Sequence, residues 1–187
     1  MEQSGENRRA IRGADHPPRR DSGGKPLCRE CGGPVRTPRR TFCSERCVEA
    51  LRIRTSPSAA REGVFQRDFG VCSACGTNTQ ELRERLRRFR RRRPKPEVVD
   101  EARQLAQGFE PAIDILDERP IVVIRRALWE ADHVLPVVEG GGGCGLDNLR
   151  TLCIPCHRAA TAELAGRRAH RRKKTRADAV SLFLGRE

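Results

Sequence analysis

Apolar residues along this chain come in short bursts separated by polar runs, and each burst carries its own period. The stretch RPIVVIRRALWEADHVLP, residues 119–136, is rich in β-branched side chains and predicts extended chain up to Pro136. Beyond it lie the turn EGGGGCG and then LDNLRTLC, after which Pro155 suits the start of a helix running to about residue 172. Upstream, Ser44 is a good cap for a helix over about 45–54 that carries Cys47 in its first turn. ELRERLRRFRRRR, residues 81–93, predicts a helix with eight arginines that the PKP at 94–96 must break. EVVDEARQLAQG predicts another, with Gly108 as its stop. The final RADAVSLFLGRE holds a small apolar cluster, expected to dock back as a short helix. Residues 1–26 show no apolar period and are expected to be a disordered basic arm.

These bursts add up to little core. The 187 residues include six Phe, one Trp and no Tyr, so one small domain with an appendage is expected and two large cores are excluded. A small core needs staples, and nine cysteines are the evident supply. No apolar run is long enough to cross a bilayer and the first residues are polar throughout, which predicts a soluble, intracellular, cytoplasmic protein. In such a reducing compartment paired cysteines read as metal ligands before disulfides.

The cysteine spacings fit that chemistry. Cys28-x2-Cys31 and Cys43-x3-Cys47 predict a closed four-thiolate Zn2+ site. Cys72-x2-Cys75 and Cys153-x2-Cys156, 77 residues apart, can close a second only if the intervening chain folds back. The ninth, Cys144, sits in the glycine turn and reads as a loop thiol. Net charge is +13, carried mainly by arginine, whose guanidinium grips phosphate with two bonds at once. The leading partner is therefore nucleic acid, held by basic runs that include Arg87, Arg88, Arg91 and Arg92, then Arg171, Arg172, Lys173 and Lys174. Such contacts supply affinity rather than sequence information.

One stretch asks for more than binding. WEADHVLPVVEGGG sets Asp132 beside His133, and neighbours on a strand point to opposite faces, so each needs its own partner. The order DHVLPVVEGGGGCGLDNLRTLCIPCHRAAT resembles the signature of the HNH endonucleases, of the ββα-metal or His-Me finger superfamily, in the variant with two C-x2-C pairs. The likeness spans about residues 65–165 with an insert after Cys75. It implies a small, zinc-stabilised α+β fold in which His133 is the general base and Asp132 a ligand of one catalytic divalent cation, usually Mg2+. By the same resemblance Asn148 braces the loop between the strands or orients base and phosphate, and His157 is the second protein ligand of that cation. A lysine common after the final histidine is missing, and Arg158 is the candidate to replace it.

The chemistry wants these groups on its own terms. A histidine titrating near neutrality suits proton removal from water, and a hard cation suits the charge that builds on a departing oxygen. The expected organisation is arm 1–26, zinc knuckle 27–55, linker 56–63, nuclease domain 64–172 with a helical insert over about 80–118, and tail 173–187. The expected activity is metal-dependent hydrolysis of DNA, with RNA left open; the other reading is a zinc-binding nucleic-acid module without catalysis. Trp129 reads as core and Glu130 as an exposed strand residue.

Overall fold

The computed structural model describes residues 19–89, 96–110, 113–115, 122–124 and 126–184. In chain order these form β1 (Arg19–Arg20), β2 (Pro26–Leu27), α1 (Glu45–Thr55), α2 (Pro57–Asp68), α3 (Thr79–Arg87) and α4 (Pro96–Ala106). They continue through β3 (Ile113–Ile115), β4 (Val122–Ile124), β5 (Trp129–His133), β6 (Leu149–Cys153) and α5 (Ile154–Leu184). The strands make three two-stranded sheets, β1 with β2, β3 with β4 and β5 with β6. The chain is a small α+β protein that divides into two compact units.

One unit joins the chain up to Ser73 to Glu130–Thr151. Its first element corrects the expectation of a disordered arm to residue 26, since β1 and β2 pair antiparallel with Arg19 opposite Leu27. Asp21 makes this turn, its carboxylate accepting from Gly23 N at 2.9 Å and Lys25 N at 2.8 Å. Residues 1–18 of that arm lie outside the described residues. The helix expected over 45–54 is α1, capped by Ser44, whose hydroxyl accepts from Cys47 N at 3.3 Å. The expected linker 56–63 is instead the first half of α2. Ser56 ends α1, its backbone N–H on Arg52 O, and also caps α2 by accepting from Ala59 N, while Pro57 opens the new helix. The two helices pack together, and Ile53 of α1 and Ala59 and Val64 of α2 are buried.

The other unit joins Ala74–Trp129 to the chain from Leu152 onward. Asn78 caps α3, its side chain accepting from Gln80 N and Glu81 N at 3.1 Å. Leu82 and Leu86, one turn apart, form its buried stripe, and Val99, Ala102 and Ala106 form that of α4. The helix expected to reach residue 93 ends at Arg87; Arg91 and Arg92 lie outside the described residues. β3 and β4 pair antiparallel from Ile113 opposite Ile124 to Ile115 opposite Val122. The helix expected to stop near 172, with a separate docked tail, is one continuous α5 of 31 residues. Beyond Gly166 its sequence offers no proline and no glycine before Gly185, so nothing local stops it.

Candidate active site and metal centres

β5 presents the acid and the histidine, and the loop that follows is built to hold them still. Val134 N donates to Asn148 O at 2.9 Å, extending the β5 and β6 pairing by one rung. The Asn148 side chain then binds the loop three times. Its Oδ1 accepts from Leu135 N at 2.8 Å, and its Nδ2 donates to Leu135 O at 3.1 Å and Gly141 O at 3.0 Å. Both amide hydrogens of Asn148 are thus committed to loop backbone. Gly141 is buried beneath this brace, its own N–H on Pro136 O at 3.0 Å. A Cβ there would lie 1.8 Å from Leu135 O and 2.7 Å from Asn148 Nδ2, so only glycine fits.

Alternation along β5 puts Glu130 and Asp132 on one face and His133 on the other. Each acid has its own arginine, Arg61 on Glu130 at 2.7 Å and Arg150 on Asp132 at 3.0 Å. Glu130 is therefore paired rather than simply exposed. The Asp132 and His133 side chains are half-buried, and the His133 ring makes no hydrogen bond among the described residues. In the other unit His157 stands in the first turn of α5, also half-buried, with its backbone carbonyl accepting from Thr161 Oγ1 at 2.8 Å. Arg158, the candidate for the missing lysine, donates to Gly108 O at 3.2 Å. Trp129 is core, as expected.

Sequence reasoning did not find the network beneath β6. Arg67 holds Asp68 through two N–H groups, at 2.7 and 2.8 Å, and also reaches Leu146 O at 2.6 Å and Leu149 O at 2.8 Å. Thr151, fully buried, donates its hydroxyl to Asp68 Oδ2 at 2.8 Å. The Arg67 hydrogen bond, joined by that of Thr151, holds the Asp68 carboxyl below its ordinary value, and Asp68 in turn raises Arg67. Nothing in the spacing of RD and T announces this pairing.

Eight cysteines gather into the two sets their spacing suggests. Within Cys28, Cys31, Cys43, Cys47 and within Cys72, Cys75, Cys153, Cys156 all the sulfurs lie within 4.8 Å of one another. Measured separations are 3.5 Å for Cys31 to Cys43 and for Cys43 to Cys47, and 3.6 Å for Cys75 to Cys153. A zinc with four thiolates at ~2.3 Å sets sulfurs about 3.8 Å apart, whereas a disulfide requires ~2.05 Å. The donor sets fit Zn2+. In the first set burial raises the Cys28 thiol, but hydrogen bonds from Cys31 and Cys43 bring it down to about 7. Cys43, facing Cys47 and then Cys31, is pushed up to about 12. Thiols this close resist ionising together, a conflict that a bound cation removes. Cys144 stays outside both sets.

Those basic candidates that lie among the described residues are at the surface. Arg88, Arg172, Lys173 and Lys174 are exposed, as are Arg171 and Arg87, the last in an ion pair with Glu84. Every residue from Ala169 to Arg176 is exposed, so this part of α5 meets solvent on all sides.

A family model described as HNH endonuclease matches residues 119–163, which contain Asp132, His133, Asn148 and His157. The chain is 36% identical over 162 residues to the DNA annealing helicase and endonuclease ZRANB3 of Mus musculus, covering 82% of this chain and 15% of that one. Against the Homo sapiens ZRANB3 the identity is 35% over 164 residues, covering 83% and 15%. The chain thus spans about 15% of the length of the curated relatives it matches. The crystal structure of the human ZRANB3 HNH domain aligns at 33% identity over 62% of this chain and 95% of that one, with a TM-score of 0.40.

Proposed function

The chain belongs to the HNH endonuclease family, and on that premise we propose that it is a metal-dependent DNA endonuclease with His133 as general base. The observation that carries this reading is the loop clamp. Asn148 and Gly141 fix the backbone from Val134 to Gly141, so the strand end with the acid and the histidine is held before substrate arrives. His133, its ring without a partner among the described residues, takes a proton from water as the water oxygen bonds to phosphorus. The bond from phosphorus to the 3′ oxygen breaks, that oxygen gains a proton, and the ends left are a 5′-phosphate and a 3′-hydroxyl.

Asp132 offers a hard oxygen, Oδ1, that accepts nothing among the described residues and suits Mg2+ or a similar cation; His157 is assigned as the second ligand of that cation by the family resemblance alone. Such a cation, when bound, neutralises charge on the departing oxygen. The Cys sets hold two structural Zn2+ and take no part in the chemistry. Arg87, Arg88 and the exposed basic end of α5 hold the DNA backbone.

The test is nicking of supercoiled plasmid with Mg2+, without it and with EDTA. His133→Ala is expected to lose cleavage by about a hundredfold or more while keeping DNA affinity. Persistent cleavage by that variant excludes the assigned base, and no cleavage by the wild type under any divalent cation favours a binding module instead.

A further inference from the structure

Arg150 has no role in the reading above, yet it touches the carboxylate proposed to hold the cation. The bond from Val134 N to Asn148 O, two residues from each, sets Arg150 across from Asp132 on the paired strand. Its guanidinium donates twice to a single oxygen, from Nε at 3.1 Å and from Nη2 at 3.0 Å, both to Oδ2. Oδ1 accepts nothing among the described residues. The arginine's own backbone is anchored on either side. Leu149 O accepts from Arg67, and Thr151 is buried with its hydroxyl on Asp68.

A cross-strand ion pair for stability alone would serve as well on either oxygen. Here both donors converge on one, leaving the other bare. We propose that Arg150 is a positioning and selectivity residue, which fixes Asp132 so that the carboxylate meets a cation through Oδ1 alone. The proposal rests on the ligand role assigned to Asp132 above.

The consequence is a choice among cations. Ca2+ readily takes both oxygens of a carboxylate, whereas Mg2+ and Mn2+ keep near-octahedral shells and accept one. A guanidinium on Oδ2 blocks two-oxygen binding, so the site disfavours Ca2+. It also adds a positive charge nearby, which weakens every cation and the larger one no less. Selection therefore comes from geometry, and a substitution that frees Oδ2 shifts the ratio of affinities rather than both together.

The experiment titrates the zinc-loaded full chain with Mn2+, read by electron paramagnetic resonance of free Mn2+, and then displaces it with Ca2+. Arg150→Met removes both donors and the charge while keeping an unbranched stem of similar bulk up to the position of Nε. The Ca2+ concentration for half-displacement, scaled by the Mn2+ affinity of the same protein, is expected to fall about tenfold, the lower range seen when a ligand's hydrogen-bond partner is removed. Arg150→Lys, a point charge unable to cover Oδ2 with a two-pronged fork, is expected to lie between. A ratio within twofold of wild type in Arg150→Met overturns the proposal. Should Arg150→Met fail to fold, Arg150→Gln carries the same reading, since it removes the charge and one donor. Asp132→Ala separates the two levels of argument. If Mn2+ binding survives it unchanged, the ligand assignment itself is wrong; if binding is lost there but the ratio in Arg150→Met is unmoved, only the role of Arg150 fails.

Discussion

At the scale of single residues, the most constrained atom near the proposed site is one the protein lacks. Gly141 has no Cβ because Leu135 O and the Asn148 amide occupy its place, at 1.8 and 2.7 Å. Gly141→Ala cannot be absorbed by a flexible side chain, since the nearer obstacle is backbone. The loop must open, releasing some of the three Asn148 hydrogen bonds. Overpacking with loss of such bonds is expected to cost about 2–4 kcal/mol, measurable as a lower urea midpoint, with plasmid nicking reduced at least tenfold. Normal stability and nicking in that variant would show that the clamp does not hold the strand end. From the sequence this glycine run reads simply as a turn; the structure uses Gly141 for a close approach of the loop to its own backbone. Composition announces that a turn needs glycine, but not which of four consecutive glycines meets an obstacle.

At the scale of elements, local signals were legible wherever the chain settles its conformation within a few residues. The cap at Ser44, the stop at Gly108 and the extended chain through Trp129–His133 all follow from side chains at or beside the boundary. The failures have the opposite character. TSPSAAREG is polar enough to pass for a linker, yet Ser56 caps and Pro57 opens α2, and that helix earns its place by contacts far along the chain. Arg67 at its end reaches Leu146 O and Leu149 O, and Asp68 receives Thr151, 83 positions away. A single sequence does not display such partners. The Asp68 carboxyl has an ordinary value of 3.8, lowered in the fold chiefly by Arg67 and further by Thr151. Its stabilising contribution is present above that ordinary value and fades as pH falls through the lower, folded one. Asp68→Asn is therefore expected to cost about 1 kcal/mol at pH 7, a figure reduced for solvent screening of the half-exposed Arg67. Urea unfolding of both proteins at neutral pH and well below 3.8 checks this: the gap should narrow in acid, and a gap that stays constant would deny Asp68 its charged role.

At the scale of the whole molecule, the two sulfur sets were the most legible long-range feature, because thiolate spacing is one of the few sequence patterns that names a distant partner. The pairing of Cys72 and Cys75 with Cys153 and Cys156 spans 77 intervening residues, and the sulfurs do gather within 4.8 Å. The roles proposed for Asp132, His133 and His157 rest on family likeness alone, since an acid and two imidazoles have no spacing rule of their own. The pairing of Arg150 with Asp132 was not legible at all: it depends on strand register, which the loop of 15 residues between β5 and β6 hides. If metal rather than apolar packing holds these distant segments, elemental analysis should find two zinc ions per chain, and Cys153→Ser should leave one. Cys153 is buried, so its loss strips a thiolate where no water can readily substitute, and a closed loop of this length is costly to re-form without its clasp. The midpoint of thermal unfolding is expected to fall by about 5–20 degrees, on the order of a 2–5 kcal/mol loss in a chain of this length. Cys144→Ser, outside both sets, should change neither number. Two zinc ions retained in Cys153→Ser, or an equal fall in both variants, would mean that the gathered sulfurs are not what closes the fold.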